Sequence, residues 1–216
     1  TELILELCEI IGVKKVLKKL IGMFAFAIFD RKKKKLFLCR DRLGIKPLYW
    51  SILNEKEILF SSELKPFLSH PNFKKIINKN IISNYLRHGY IPAPYSIYKG
   101  VYKLEPGKIL DISKENFIPK IFDFWNLQEI VRNRKNYSYD DKEFLIESLD
   151  KLLNDSVSKR MIADVPVGSF LSGGIDSTTV SAIMQKNSKK KINTFSIGFQ
   201  ESGYNEAVYA KKIANF

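Results

Sequence analysis

Ser172-Gly173-Gly174-Ile175-Asp176-Ser177 stands between a short apolar run and a helix-like pattern, and it is the stretch of this chain best suited to chemistry. Two successive residues without Cβ atoms let the backbone turn sharply and present its amides to an anion, and a helix that follows adds the positive end of its dipole. Ser172 and Ser177 supply hydroxyl donors on either side of the turn. A Cβ added at Gly173 or at Gly174 would take space that a phosphate needs. A kinase-type loop, Gly-x-x-x-x-Gly-Lys-Ser/Thr, requires a lysine that this stretch lacks, so transfer of a γ-phosphate is not the chemistry indicated. Asp176 is the unusual member: a carboxylate beside phosphate oxygens is repulsive unless a metal bridges them, which points to ATP carried with Mg2+. The bland reading of the same six residues is a Gly-rich turn capped by Ser172 or Ser177.

Other chemically competent residues read as structural. Arg40-Asp41 after an apolar strand-like run is what an ion pair fixing a turn would look like, in preference to a substrate contact. Cys8 and Cys39 each fall inside an apolar pattern, where a small buried thiol is common, and two cysteines make no disulfide framework.

These residues need elements to hold them. Leu3, Leu5, Leu7, Ile10 and Ile11 predict a helix ending near Gly12, and Val13 to Leu20 predict a second. The continuous apolar run Met23 to Phe29, a basic turn and Leu36 to Cys39 predict a buried hairpin. Leu48 to Leu53 and Ile58 to Ser61, flanking Asn54-Glu55-Lys56, predict another pair of strands. The prolines and glycines from Ile91 to Gly107 mark irregular surface structure, with strands expected at Lys108 to Ile112 and Ile118 to Phe124. Asn126 to Asp141 has no apolar period and reads as a linker between domains. Beyond it, Asp140 stands three residues before Glu143, a capping-box spacing, and Leu145, Leu149, Leu152, Leu153 and Val157 recur at helical intervals. Val165 to Leu171 as strand, the Gly-rich loop, a helix carrying Val180, Ile183 and Met184, a strand from Asn193 to Phe199 and a helix from about Asn205 make the start of a doubly wound parallel sheet.

Composition limits the partners. With 45% hydrophobic and 27% charged residues the chain suits a soluble globular protein, and no apolar run approaches the roughly 18 residues of a membrane span. The net charge of +13 is dispersed over Lys14, Lys15, Lys18 and Lys19, Lys32 to Lys35 and Lys189 to Lys191, as solvated turns and faces rather than a nucleic-acid stripe.

The loop, with flanking Asp164-Val165-Pro166-Val167-Gly168 and Thr194-Phe195-Ser196-Ile197-Gly198-Phe199, resembles the pyrophosphate loop of adenylating ligases and in particular of glutamine-hydrolysing asparagine synthetases. Gly22-Met23-Phe24-Ala25-Phe26-Ala27, Arg40 to Tyr49, Ser62-Glu63-Leu64-Lys65, Gly89 to Pro94 and Leu104-Glu105-Pro106-Gly107 resemble the rear half of that family's glutaminase domain, so the resemblance covers nearly the whole chain. It implies the rear part of a four-layer αββα N-terminal-nucleophile glutaminase over 1–125, a linker over 126–141 and the start of a doubly wound ATP-pyrophosphatase domain over 142–216. It implies ATP binding by Leu171, Ser172, Gly173, Gly174, Asp176, Ser177 and Ile197, with Asp176 reaching Mg2+ through ATP and with no catalytic residue in this stretch. The family's nucleophile is a chain-terminal Cys, which neither Cys8 nor Cys39 can be, and its aspartate pocket falls downstream, so the chain is expected to be an internal portion inactive by itself. The implied setting is a cytoplasmic ligase, admitting a homodimer, whose small-molecule substrates are aspartate, glutamine and ATP, with neither nucleic acid nor membrane as a partner. A related amidotransferase acting on a saccharide or β-lactam precursor, a tRNA-modifying ligase and a non-catalytic nucleotide-binding module are the alternatives.

Overall fold

The computed structural model describes residues 1–133, 141–201, 203 and 205–215, which form two compact units, 1–134 and 135–216. The first unit begins with two helices, α1 (Glu2–Ile11) and α2 (Val13–Lys19), broken at Gly12 with φ +82°. Seven strands follow: β1 (Ala25–Asp30), β2 (Lys35–Arg40), β3 (Tyr49–Leu53), β4 (Glu57–Ser61), β5 (Val101–Lys103), β6 (Lys108–Ser113) and β7 (Lys120–Asp123). Short helices α3 (Lys65–Leu68) and α4 (Ile82–His88) lie between β4 and β5, and α5 (Leu127–Arg132) follows β7.

The strands form two antiparallel sheets, ordered β1-β2-β6-β7 and β4-β3-β5. Side-chain alternation explains why the first sheet reads as a continuous apolar run. On β2 and β6, Leu36, Leu38, Leu110 and Ile112 face the second sheet and pack with Leu48, Trp50 and Leu104. Their neighbours Phe37, Cys39 and Ile109 point the other way and pack with Leu17 of α2 and with Phe24, Phe26 and Phe124. Helix, sheet and sheet are therefore stacked, and α3 adjoins β4. This is the layering expected of the glutaminase fold.

The loop joining the two sheets is held from inside. Asp41 is 1% exposed, and its carboxylate accepts the amides of Phe24 (3.3 Å), Leu43 (3.1 Å), Ile45 (3.0 Å) and Lys46 (2.9 Å). Arg40 donates to the carbonyls of Lys46 (2.9 Å), Gly44 (2.7 Å) and Leu104 (2.5 Å). The pair is structural, as expected, but the reason differs: each side chain serves the backbone rather than the other. Burial costs a guanidinium its hydration and lowers the Arg40 pKa, while Asp41 and Tyr49 oppose that shift.

Three sequence expectations change here. Residues 91–107 are not wholly irregular surface: they contain β5, and Ser96, Val101 and Leu104 are buried. The stretch 126–141 contains a helix, α5, started by Asn126 Oδ1, which accepts the amides of Gln128 and Glu129; Leu127, Ile130 and Val131 are exposed, so a cap rather than an apolar period makes it. The cap of the long helix in the second unit is Asp141, whose Oδ1 accepts Phe144 N at 3.0 Å, while Asp140 lies outside the described residues.

In the second unit α6 (Lys142–Arg160) packs on α7 (Ile175–Lys186) through Leu153, Val157, Met161, Ile183 and Met184. Its first half does not follow the expected apolar stripe inward: Leu145, Leu149 and Leu152 are exposed. β8 (Gly168–Phe170) and β9 (Asn193–Phe195) pair in parallel, with Ser169 opposite Thr194, and α8 (Ala207–Ala214) closes the unit. Both strands are shorter than the apolar runs that predict them, but the order strand, loop, helix, strand, helix is the one read from sequence.

Candidate functional site

The Gly-rich loop occupies the turn between β8 and α7. Gly173 has φ +91°, a backbone conformation that a side chain strains, whereas Gly174 is the N-cap of α7 at φ −75° and ψ 160°, which any residue can adopt. Gly173 also lies against α8: a Cβ there would stand 2.7 Å from Tyr209 Cβ and 3.2 Å from Ala210 N. A Cβ on Gly174 would meet only Ser172 Oγ, at 3.5 Å. Both glycines line one cleft, but they differ in what a Cβ would meet. Gly173 makes room for a helix, and Gly174 keeps the loop's open side clear.

The two serines hold the loop across itself. Ser172 Oγ and Ser177 Oγ are 3.0 Å apart, Ser172 N donates to Ser177 Oγ at 3.2 Å, and Ser177 Oγ donates to Gly174 O at 3.2 Å. Gly174 N turns inward to Ser172 Oγ at 3.3 Å. The hydroxyls therefore act first as struts. Among the described residues, the amides of Gly173, Ile175, Asp176 and Ser177 meet no protein acceptor, so the donors left for an anion are backbone N–H groups at the start of a 12-residue helix.

An open cleft of about 470 Å3 adjoins the loop, with Ser172, Gly173 and Gly174 on one side and Asn205, Glu206 and Tyr209 on the other. The residues from α8 and its approach were not singled out from sequence. No spacing in the sequence marks them, because their place beside the loop depends on how α8 packs on Gly173. Of the remaining expected site residues, Asp176 is exposed on the first turn of α7 and Ile197 is 69% exposed. Leu171 is buried; its amide donates to Phe195 O at 2.8 Å and its carbonyl accepts Ser196 Oγ at 2.5 Å, so it joins the loop to the neighbouring strand. Leu171, Asp176 and Ile197 are not part of the cleft lining.

The arrangement fits the polyphosphate of a nucleotide: unmet amides, a helix dipole and an open face beside Gly174, without a lysine in the loop. Among the described residues, no group of three or more His, Cys, Asp or Glu side chains is placed to hold a metal ion. No described helix is long and apolar enough to cross a membrane.

Comparison with known proteins gives two family matches, a glutamine amidotransferase domain over residues 1–125 and asparagine synthase over residues 148–216. A Methanocaldococcus jannaschii protein, provisionally named a second glutamine-hydrolysing asparagine synthetase, is 44% identical over 221 residues, covering 100% of this chain and 41% of its own. Glutamine-hydrolysing asparagine synthetase 2 of Bacillus subtilis is 37% identical over 222 residues, 99% of this chain and 29% of its own. Asparagine synthetase 3 of the same organism is 34% identical over 186 residues, 84% of this chain and 29% of its own. The chain thus spans less than half the length of these relatives.

Proposed function

Because the chain belongs to the glutamine amidotransferase family, in the form that continues into an asparagine synthase segment, we propose that it is part of a ligase making asparagine from aspartate, ATP and glutamine-derived ammonia. The observation that carries this reading is the loop of unmet amides at the start of α7, which offers a triphosphate a cradle without the lysine that γ-phosphate transfer uses. In the proposed reaction a side-chain carboxylate oxygen of aspartate bonds to the α-phosphorus, the α–β bridge breaks and pyrophosphate leaves. Ammonia then attacks the acyl carbon of the β-aspartyl adenylate and AMP leaves with the bonding pair.

The residues of this chain bind and orient. The amides of Gly173, Ile175, Asp176 and Ser177 hold the pyrophosphate oxygens, the Ser172–Ser177 strut fixes the turn, and Leu171 and Ile197 lie towards the nucleoside. Asp176 serves as a ligand to Mg2+ brought in with ATP; the metal would neutralise the phosphate charge that otherwise repels this carboxylate. Two unpaired thiols, Cys8 and Cys39, support a reducing, cytoplasmic setting.

The products test the reading. Full-length enzyme incubated with aspartate, glutamine and ATP should release AMP and pyrophosphate in step with asparagine; ADP and phosphate in their place would rule out adenylation.

A further inference from the structure

The cleft beside the loop contains a carboxylate for which the loop chemistry has no role. We propose that Glu206, the residue preceding α8, is a protein ligand to the divalent cation that accompanies the triphosphate, a role that rests on the ATP reading above.

Glu206 is carried to the cleft by a well-fixed element. Its carbonyl accepts Ala210 N at 3.0 Å, Ala210 is 2% exposed, and Gly173 touches the same turn of α8 at Tyr209 and Ala210. The loop and the first turn of α8 are therefore in van der Waals contact, which leaves little freedom in the distance between the amide cradle and Glu206. The side chain itself is unspent: it caps none of the helix amides, and it makes no ion pair among the described residues. Its neighbour Asn205 performs the local structural task instead, with Oδ1 accepting Ala207 N at 3.2 Å.

Electrostatics then decides what such a carboxylate can do. Among the described residues lining the cleft, Glu206 is the one that is formally charged, and the opposite wall presents amides suited to anions. Against bare ATP it is repulsive at any effective dielectric constant, and against ATP with a bound dication it is attractive. Glu206 would offer the cation a single carboxylate, leaving its other positions to phosphate oxygens and water, the usual sharing for Mg2+.

The opposite signs give the test. ATP is titrated into full-length protein by calorimetry with excess Mg2+ and again with EDTA, for the wild type and for Glu206→Gln and Glu206→Asp, with thermal melts recorded for each. Glu206→Gln should weaken ATP about tenfold with Mg2+, and without metal should leave affinity unchanged or raise it about twofold; Glu206→Asp should keep most of the metal-dependent gain. Equal loss in both conditions, as a ribose-hydroxyl contact would give, overturns the metal role, and so does a change under about twofold with Mg2+. Wild-type protein that binds no ATP in either condition overturns the nucleotide reading itself. If Glu206→Gln melts early, Glu206→Ala takes its place, with the same outcomes for and against the proposal.

Discussion

A methyl group at residue 173 should damage the fold of the second unit, and the same methyl at residue 174 should damage only binding. Gly173→Ala puts a Cβ at φ +91°, which costs about 1–3 kcal/mol in backbone strain. It also places that atom 2.7 Å from Tyr209 Cβ and 3.2 Å from a backbone nitrogen of α8, an overpacking that adds about 1–3 kcal/mol unless the helix moves. The total, about 2–6 kcal/mol, is a large share of what a unit of this size has, and should lower its melting temperature by roughly 10 °C or more. Gly174→Ala starts from φ −75° and meets one hydroxyl oxygen at 3.5 Å, so its stability should stay within about 0.5 kcal/mol of wild type. Its methyl enters the open side of the loop and should weaken ATP about tenfold or more. Differential scanning calorimetry of the full-length protein, with ATP titrations on the folded variants, separates the two effects. Equal destabilisation by both substitutions, or a Gly173→Ala melt indistinguishable from wild type, would refute the assignment of Gly173 to helix packing.

Asp41→Asn should destabilise the first unit by about 2–4 kcal/mol in urea denaturation, because one amide oxygen replaces a carboxylate that four backbone N–H groups share; a loss below about 1 kcal/mol would mean that water already serves those amides. Burial pushes the Cys39 thiol far above its usual pKa and raises Cys8 to a lesser degree, so at pH 7–8 native protein should leave Cys39 unmodified by a thiol reagent that labels both cysteines in urea, as checked by mass spectrometry. Cys8→Ser and Cys39→Ser should each retain glutamine hydrolysis in the full-length enzyme, since neither can supply the free terminal amine that would activate this nucleophile; loss of that activity in a folded variant would refute the placement.

Local pattern was a good guide wherever a segment's environment matches its own period. The hairpin of β1 and β2 was legible because β2 is covered on both faces, Leu36 and Leu38 on one and Phe37 and Cys39 on the other, which leaves an apolar run without alternation. The loop was legible because only glycine tolerates its turn at 173. What sequence did not reveal depends on contacts remote in the chain. β5 is three residues long and exists through its pairing with β3, more than forty residues earlier, so its local composition reads as loop. The exposed Leu145, Leu149 and Leu152 show that an apolar stripe predicts a helix without predicting that the helix is covered. Asn205, Glu206 and Tyr209 were missed as cleft residues for the same reason: their place beside the loop follows from how α8 packs on Gly173, which no spacing encodes.

The Arg40–Asp41 loop also bears on where this chain can change length. The chain passes from the first sheet to the second between β2 and β3 and returns between β5 and β6. Both passages meet at one place: Arg40 holds Leu104 O, Asp41 O accepts Gly107 N at 2.9 Å, and Leu104 N donates to Leu48 O at 2.9 Å. An inserted residue in either passage would shift several of these partners together, and a Cβ on Gly107 would already stand 2.2 Å from Trp125 O. The hairpin tips at 31–33 and 54–56 face solvent and, among the described residues, make no backbone hydrogen bond beyond their own turns, while Lys34 O at the edge of the first accepts Lys114 N at 2.9 Å. Extra residues, affinity tags or reporter peptides should be accepted at those tips, while the two passages should keep a fixed length across any functional variant of this fold.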